Sequence, residues 1–334
     1  MKIIAFNSYK GGACRTTTCY NALPYLAKQL GATSHRPILV FDVDLDSMGL
    51  TNLFTNGTRF VSNGGYSAEY LFADREMPAG KNNINTQLKY GVFQPCVEGN
   101  PWFFEEAFIK IGTDLGLEDN GSVLFCGADC DADSITDTEF DKYKKCPPVE
   151  VMLDRLEGMD EPPVAVVFDC AAGVQLSTRA ILRSANKFVM CMRPTLQFRI
   201  GTRDYLVNKI KEEILKNLNS DKKTMILVPT AVAGTSVPDS DPNKKNAEEY
   251  LIDLKHGVQD YIERHIVSRI KGCEGELGYE LDESMIADED KFGIPEVERF
   301  KWKEELLYGG KPLTEKEKEL SDRYEMLAKV IAKD

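Results

Sequence analysis

The sequence predicts an α/β fold, a mainly parallel twisted sheet with helices on both faces, and three observations predict it. Short apolar runs bounded by turn residues recur at Lys2–Asn7, Ile38–Asp42, Gly121–Cys126, Val164–Asp169, Lys187–Met192 and Thr224–Val228. Most are separated by stretches of helical periodicity, and short buried strands alternating with helices imply a parallel sheet covered on both faces. Polar residues gather just after these runs, on the edge where right-handed crossovers place every strand's carboxyl end and where open α/β sheets bind ligands.

At 334 residues, 43% hydrophobic and 28% charged, the chain is long enough for one large core or two modest ones. No internal repeat, low-complexity tract or clean linker divides it, so a single domain over residues 1–334 is expected, with elaborated segments at about 55–120 and 234–300 where periodicity is weak. At the end of the chain, Leu320, Tyr324, Leu327 and Ile331 recur every three or four residues within Glu315–Lys333 and make a helix with one apolar stripe. A membrane-docking helix would carry a basic polar face; this one mixes Glu, Asp, Lys and Arg, so packing on the core is expected.

No apolar run approaches the roughly 20 residues of a membrane span, and Ile3-Ile4-Ala5-Phe6 is far shorter than a signal-peptide core. A cytoplasmic location is expected, and a membrane is not an expected partner. Nine cysteines, an odd number without a secretory signal, favour reduced thiols over a disulfide framework. Cys126 and Cys130, with Cys96 and Cys146 as further ligands, admit a zinc or iron–sulfur reading, but the spacing is loose and Cys-Gly-Ala-Asp-Cys equally suits a strand end and turn. A net charge of −12 excludes general coating of nucleic acid and leaves room for one local basic face.

Directly after the first strand the chain reads Ser8-Tyr9-Lys10-Gly11-Gly12-Ala13-Cys14-Arg15-Thr16-Thr17-Thr18 and then turns helical from Cys19 to Ala27. A strand, a glycine turn and a helix start make an anion cradle, because successive backbone N–H groups converge and the helix dipole adds to them. Against the pattern G-x-x-x-x-G-K-[ST] the loop departs at three places, with Ser8 and Cys14 for the glycines and Arg15 for the lysine. Two later strands end in carboxylates. The second runs Ile38-Leu39-Val40-Phe41-Asp42-Val43-Asp44-Leu45-Asp46 and on to Gly49-Leu50-Thr51, and the fourth runs Val164 to Asp169 followed by Cys170-Ala171-Ala172-Gly173. Such aspartates also serve as plain turn and cap residues.

In this order the three motifs resemble those of the ParA/MinD family, P-loop NTPases with a deviant Walker A motif written K-G-G-x-G-K-T-T-T. Lys10, Gly11, Gly12, Thr16, Thr17, Thr18, Asn21, Leu26 and Ala27 fall into place, Asp42 and Asp44 match the D-x-D motif, and Val164–Gly173 matches the Walker B strand. Arg193-Pro194-Thr195 and Arg323–Ala328 resemble the family's later turn and final helix. The likeness is strong at 1–52 and 164–206 and thin at 55–120 and 229–300.

The resemblance implies ATP or ADP and Mg²⁺ as cofactors. It implies phosphates held by Lys10, Gly11, Gly12, Ala13, Cys14, Arg15, Thr16 and Thr17, and metal held by Thr16 directly, by Asp169 through water and by Asp42 from farther out. Lys10 becomes the signature lysine that reaches a partner's nucleotide, and Asp44 the residue that positions the attacking water. A homodimer on ATP binding, slow hydrolysis stimulated by a ParB-like or other activating protein, and a role in partitioning DNA or positioning cargo follow. The basic stretch Arg199–Lys223, with Arg203, Lys209, Lys211, Lys216 and Lys222, is a candidate face for nonspecific DNA and equally a solvated helix surface. Pro229 and Thr230, expected after a late strand, are candidates for the adenine wall. Two other readings stay open: a degenerate nucleotide-binding scaffold, favoured by Cys14 and Arg15, and a reductase such as the nitrogenase iron-protein group, which needs cluster cysteines that Cys170 alone does not supply.

Overall fold

The computed structural model describes residues 1–58, 60, 68, 107–128, 148–193, 195–210, 223–232, 256, 279–282, 284–285, 293–297, 305–309 and 313–333. The fold class is the expected one, α/β with a mainly parallel sheet. The chain forms two compact units, one of Met1–Ala5, Leu30–Ala171 and Gln175–Ala185, the other of Phe6–Gln29, Ala172–Val174 and Asn186–Asp334. The elaborations expected at about 55–120 and 234–300 fall largely outside the described residues, as do Cys96, Cys130, Cys146, Lys211, Lys216, Lys222 and the side chain of Arg199.

The first unit holds β2 (Ile38–Val43), β3 (Ile109–Lys110), β4 (Val123–Cys126) and β5 (Ala165–Cys170), with the opening residues of β1 (Lys2–Ser8). The order is β3-β4-β2-β5-β1. β2 lies parallel to β4 and to β5, while β3 runs antiparallel to β4. Every residue of β2, β4 and β5 is buried, as strands covered on both faces require. Phe41 of β2 stacks on Phe168 of β5 with centroids 5.3 Å apart, a contact worth roughly 0.5–1.5 kcal/mol beyond its area. Its helices are α2 (Gly49–Thr55), α3 (Pro148–Glu157) and α4 (Leu176–Ser184). Gly121 and Ser122, expected to begin the third strand, instead lie in a 3₁₀ turn, Asn120–Ser122, in which Asp119 accepts a bond from the Gly121 N–H, and the strand starts at Val123.

The second unit takes the rest of β1 and sets β6 (Lys187–Met192), β7 (Lys223–Val232) and β8 (Tyr279–Asp282) beside it in that order, with β9 (Ile294–Pro295) also on β7. These neighbours of β7 are all parallel to it. Its helices are α1 (Arg15–Leu30), α5 (Leu196–Asp204), which runs on into a π-helical turn at Tyr205–Lys209, and α6 (Glu315–Ala332). Gly31, at φ 62°, stops α1, the left-handed position that only glycine takes without cost. One expectation is corrected: Pro229 and Thr230 lie inside β7 rather than after it, since Pro229 pairs with Met192 and Thr230 with Ile294. A proline can sit there because β9, which takes up the carboxyl end of β7, pairs at Thr230 and Val232.

Helix α6 is as expected. Leu320, Tyr324, Leu327 and Ile331 are all buried, so the stripe is spent inside the protein. Among the described residues no helix is long and apolar enough to cross a membrane. Thr314 and Glu317 close a reciprocal capping box, the Glu317 N–H donating to Thr314 Oγ1 at 3.3 Å and the Thr314 N–H to Glu317 Oε2 at 2.8 Å. Replacing Thr314 with Ala removes that cap and is expected to lower stability by about 1 kcal/mol in urea denaturation, whereas Thr314→Ser keeps it. An unchanged midpoint for the alanine variant would show that α6 docks without its cap.

Candidate functional site

In the second unit, β1 ends at Ser8 and α1 begins at Arg15, and the connecting loop has two residues in the left-handed region, Gly12 at φ 81° and Cys14 at φ 52°. Alternation of ordinary and left-handed residues turns successive N–H groups toward one side, which is the geometry of an anion nest. A β-carbon built on Gly11 or Gly12 would meet no atom within 4 Å, so backbone conformation, not crowding, calls for glycine at position 12. Cys14 adopts a glycine conformation while carrying a side chain, at a cost of ~1–2 kcal/mol. Two groups face it: Thr230 Oγ1 donates to the Ala13 carbonyl at 2.7 Å, and Arg193 Nη2 lies 3.9 Å from Cys14 Sγ. Beyond it the Thr18 N–H donates to the Cys14 carbonyl at 2.9 Å, the first bond of the helix.

Arg15 is buried at the first position of α1, and its Nη2 donates to Thr16 Oγ1 at 3.1 Å. Its positive charge therefore stays at the helix N-terminus, where an anion is favoured twice over, by charge and by dipole. Lys10 holds its Nζ 4.7 Å from the centre of the Phe198 ring on α5. Tyr9, just before it, is seated against Gly201: a β-carbon there would run into the tyrosine ring, so any other residue at position 201 would have to displace that ring. Behind the loop, the Gly173 N–H donates to the Ser8 carbonyl at 2.9 Å, and the single proton of Tyr205 Oη serves Asn7 Oδ1 at 2.7 Å or the Gly173 carbonyl at 2.8 Å. Arg193, Phe198, Gly201 and Tyr205 had no assigned role in the sequence reading. Each meets the loop across a sequence separation that no local pattern reports.

In the first unit, Asp42 and Asp169 are register partners on β2 and β5, and both are completely buried. Asp42 Oδ2 accepts from the Thr51 N–H at 2.7 Å and from Thr51 Oγ1 at 2.8 Å, and Oδ1 accepts from the Asp44 N–H at 3.2 Å. Thr51, at the start of α2, also takes the Ala128 N–H on its hydroxyl oxygen at 3.0 Å, so one threonine ties α2, β2 and the segment after β4 together. Burial, and after it the neighbouring Asp169 carboxylate, push the Asp42 carboxyl up to about 7. Asp44 is nearly buried, and its backbone carbonyl accepts the Met48 N–H at 2.7 Å.

Two adjacent buried carboxylates repel unless a proton or a cation is shared between them, and hard oxygen donors suit Mg²⁺. Among the described residues no three of His, Cys, Asp and Glu gather into a set that would hold a metal. Mg²⁺ bound with phosphates takes only one or two carboxylates from a protein, with water completing its shell. Cys126, the described half of the cysteine pair, and Cys170 are buried, and the Cys170 thiol donates to the Phe168 carbonyl at 3.9 Å.

Because the Asp42 carboxyl sits near 7 in the folded protein and near 3.9 in an unfolded chain, the folded state binds the extra proton between those values. Its stability contribution is complete below about pH 4 and is lost as pH rises to about 7. In chelator, Asp42→Asn is therefore expected to gain on the parent, by about 1.4 kcal/mol per pH unit at most, as pH rises from about 4 to about 7 in urea titrations, and to gain no more above that. A difference between the two proteins that does not change with pH would remove the shifted titration.

No protein-family model matches the chain, and no curated protein matches it. Among solved structures it is similar to a pNOB8 ParA bound to nonspecific DNA, with 14% identity, 98% of each chain covered and a TM-score of 0.46. It is also similar to a ParA family ATPase from Chlorobium tepidum TLS, with 11% identity, 98% of each chain covered and a TM-score of 0.47. A third is the septum site-determining protein MinD of Pyrococcus horikoshii OT3 complexed with Mg-ADP, with 16% identity, 76% of each chain covered and a TM-score of 0.40. All three are ParA or MinD structures, and at these values the likeness carries neither an activity nor a residue's role across to this chain.

Proposed function

We propose that this chain is an ATP-binding, ATP-hydrolysing dimerisation switch of the ParA/MinD kind. The observation that carries the reading is the loop between β1 and α1, where left-handed Gly12 and Cys14 turn backbone N–H groups into a nest that ends on the buried cation Arg15. In the second unit, Lys10 to Thr17 take the phosphates of ATP or ADP. The Thr16 hydroxyl would be the direct protein ligand of Mg²⁺; in the first unit, Asp169 would act on the metal through water, Asp42 would support it from farther out, and Asp44 would orient the water for attack. When bound, the metal neutralises phosphate charge; the chain's own contribution is to position donors and to exclude competing geometry.

Lys10 is the residue that acts on the nucleotide of a second copy in the ATP-bound homodimer. To do so its ammonium leaves the Phe198 ring, a contact worth only ~0.5–1 kcal/mol at a partly exposed site. Helix α5, with Arg203, begins the basic stretch Arg199–Lys223 that the reading assigns to nonspecific DNA. A ParB-like or other activating protein is the expected partner for turnover, in partitioning DNA or positioning cargo from the cytoplasm. A second reading, a nucleotide-binding scaffold with little turnover, is favoured by two features: Cys14 in a glycine conformation, and Arg15 turned onto the very hydroxyl proposed for the metal.

Sedimentation of the parent without nucleotide, with ADP and with ATP tests the switch: only ATP is expected to double the mass. An unchanged mass together with no ATP binding would end the reading. Arg15→Ala is expected to weaken ATP by about 1.5–3 kcal/mol while Arg15→Lys retains binding. Asp44→Ala is expected to accumulate the ATP-bound dimer and Lys10→Ala to bind nucleotide without dimerising, each with turnover reduced by more than about tenfold. A monomeric Asp44→Ala at saturating ATP contradicts the trapped dimer, and a dimeric Lys10→Ala takes the crossing role away from that lysine.

A further inference from the structure

The hydroxyl of Thr230 is completely buried, and so is Ala13, the residue whose carbonyl it holds. The 2.7 Å bond spans 217 residues, and the alternative acceptor, the Met192 carbonyl, lies farther off at 3.3 Å. In a trans peptide the carbonyl of one residue and the N–H of the next point in opposite directions. Anchoring the Ala13 carbonyl inward on β7 therefore aims the Cys14 N–H the other way, out of the protein body. The competing arrangement is a flip of that one peptide plane, which exchanges a positive φ at the following residue for a negative one, as between type II and type I turns. For a glycine the two states are nearly equal; for Cys14, at φ 52°, the flip relieves backbone strain.

We propose that Thr230 is a positioning residue that locks the Ala13–Cys14 peptide in its strained orientation, so that the Cys14 N–H is available to a bound phosphate. The claim deepens the phosphate-loop assignment above and rests on it for its ligand. It also says why this chain in particular needs the lock: with cysteine rather than glycine at position 14, the loop would otherwise fall into the flipped state. Thr230 is thereby taken out of the adenine wall, because its side chain is committed beneath the loop.

The chain contains a single Ala–Cys pair, residues 13 and 14. Full-length protein labelled with carbonyl ¹³C in alanine and ¹⁵N in cysteine thus gives one carbonyl–amide correlation, which reports on this peptide alone. Thr230→Ser keeps the hydroxyl and is expected to leave that correlation and the Mg-ATP affinity within about twofold of the parent. Thr230→Val, of equal size without the donor, is expected to displace the correlation and weaken Mg-ATP about tenfold, a loss the size of one buried hydrogen bond. In a Cys14→Gly background the same change is expected to cost less than about threefold, since glycine removes the drive to flip. An undisplaced correlation in Thr230→Val, or equal losses in the two backgrounds, overturns the proposal. Thr230→Ala, smaller and equally without the donor, takes the place of the valine variant if the latter does not fold. Should the parent bind no Mg-ATP, the assignment of function falls, while the position of the correlation still decides whether Thr230 sets the peptide.

Discussion

A parallel strand with neighbours on both sides and cover on both faces has no room for an unpaired polar side chain except where it ends. Burying such a group without partners costs several kcal/mol, and two like charges side by side cost more. That constraint organises the carboxylates of this protein. β2 and β5 are apolar up to their next-to-last residues, and there Asp42 and Asp169 fall into register with no exposed surface. What makes the arrangement tolerable is the turn that follows β2, which returns Thr51 to give Asp42 both an N–H and an O–H.

The loop after β1 is governed by the opposite problem. Its backbone is held through carbonyls. The Ala13 carbonyl is taken by Thr230, the Cys14 carbonyl by Thr18 and the Ser8 carbonyl by Gly173. With these acceptors occupied, the donors of the same peptides point the other way. Near the loop, Arg15 Nη2 donates to Thr16 Oγ1 and Lys10 Nζ lies over the Phe198 ring.

Cys14 and Arg15 are where this loop departs most from the motif it resembles, and they differ in kind. Arg15 keeps the charge and alters its shape, since a planar guanidinium grips phosphate through a fork where an ammonium acts as a point. Cys14 keeps the backbone conformation and pays for it in strain. In the proposed function, the first change would bear on how phosphates are held and the second on how firmly the loop is fastened.

The sequence by itself determined the fold class and six of the strands in chain order, while β3, β8 and β9 lay outside its apolar runs. The six apolar runs became strands within a few residues of their expected bounds, and the stripe of Leu320, Tyr324, Leu327 and Ile331 became the buried face of α6. Those features are periodic along the chain, and burial follows the period. It also placed a glycine loop and two terminal aspartates at strand ends, because strand, turn and helix signals are local. Tertiary structure alone decided that β7 runs on through Pro229 and Thr230, that Asp42 and Asp169 stand side by side, and that Gly201 makes room for Tyr9. It alone set a hydroxyl 217 residues away beneath the carbonyl of Ala13. These are pairings between distant segments fixed by strand register and close approach, and neither quantity has a signature in the residues on one side of the contact.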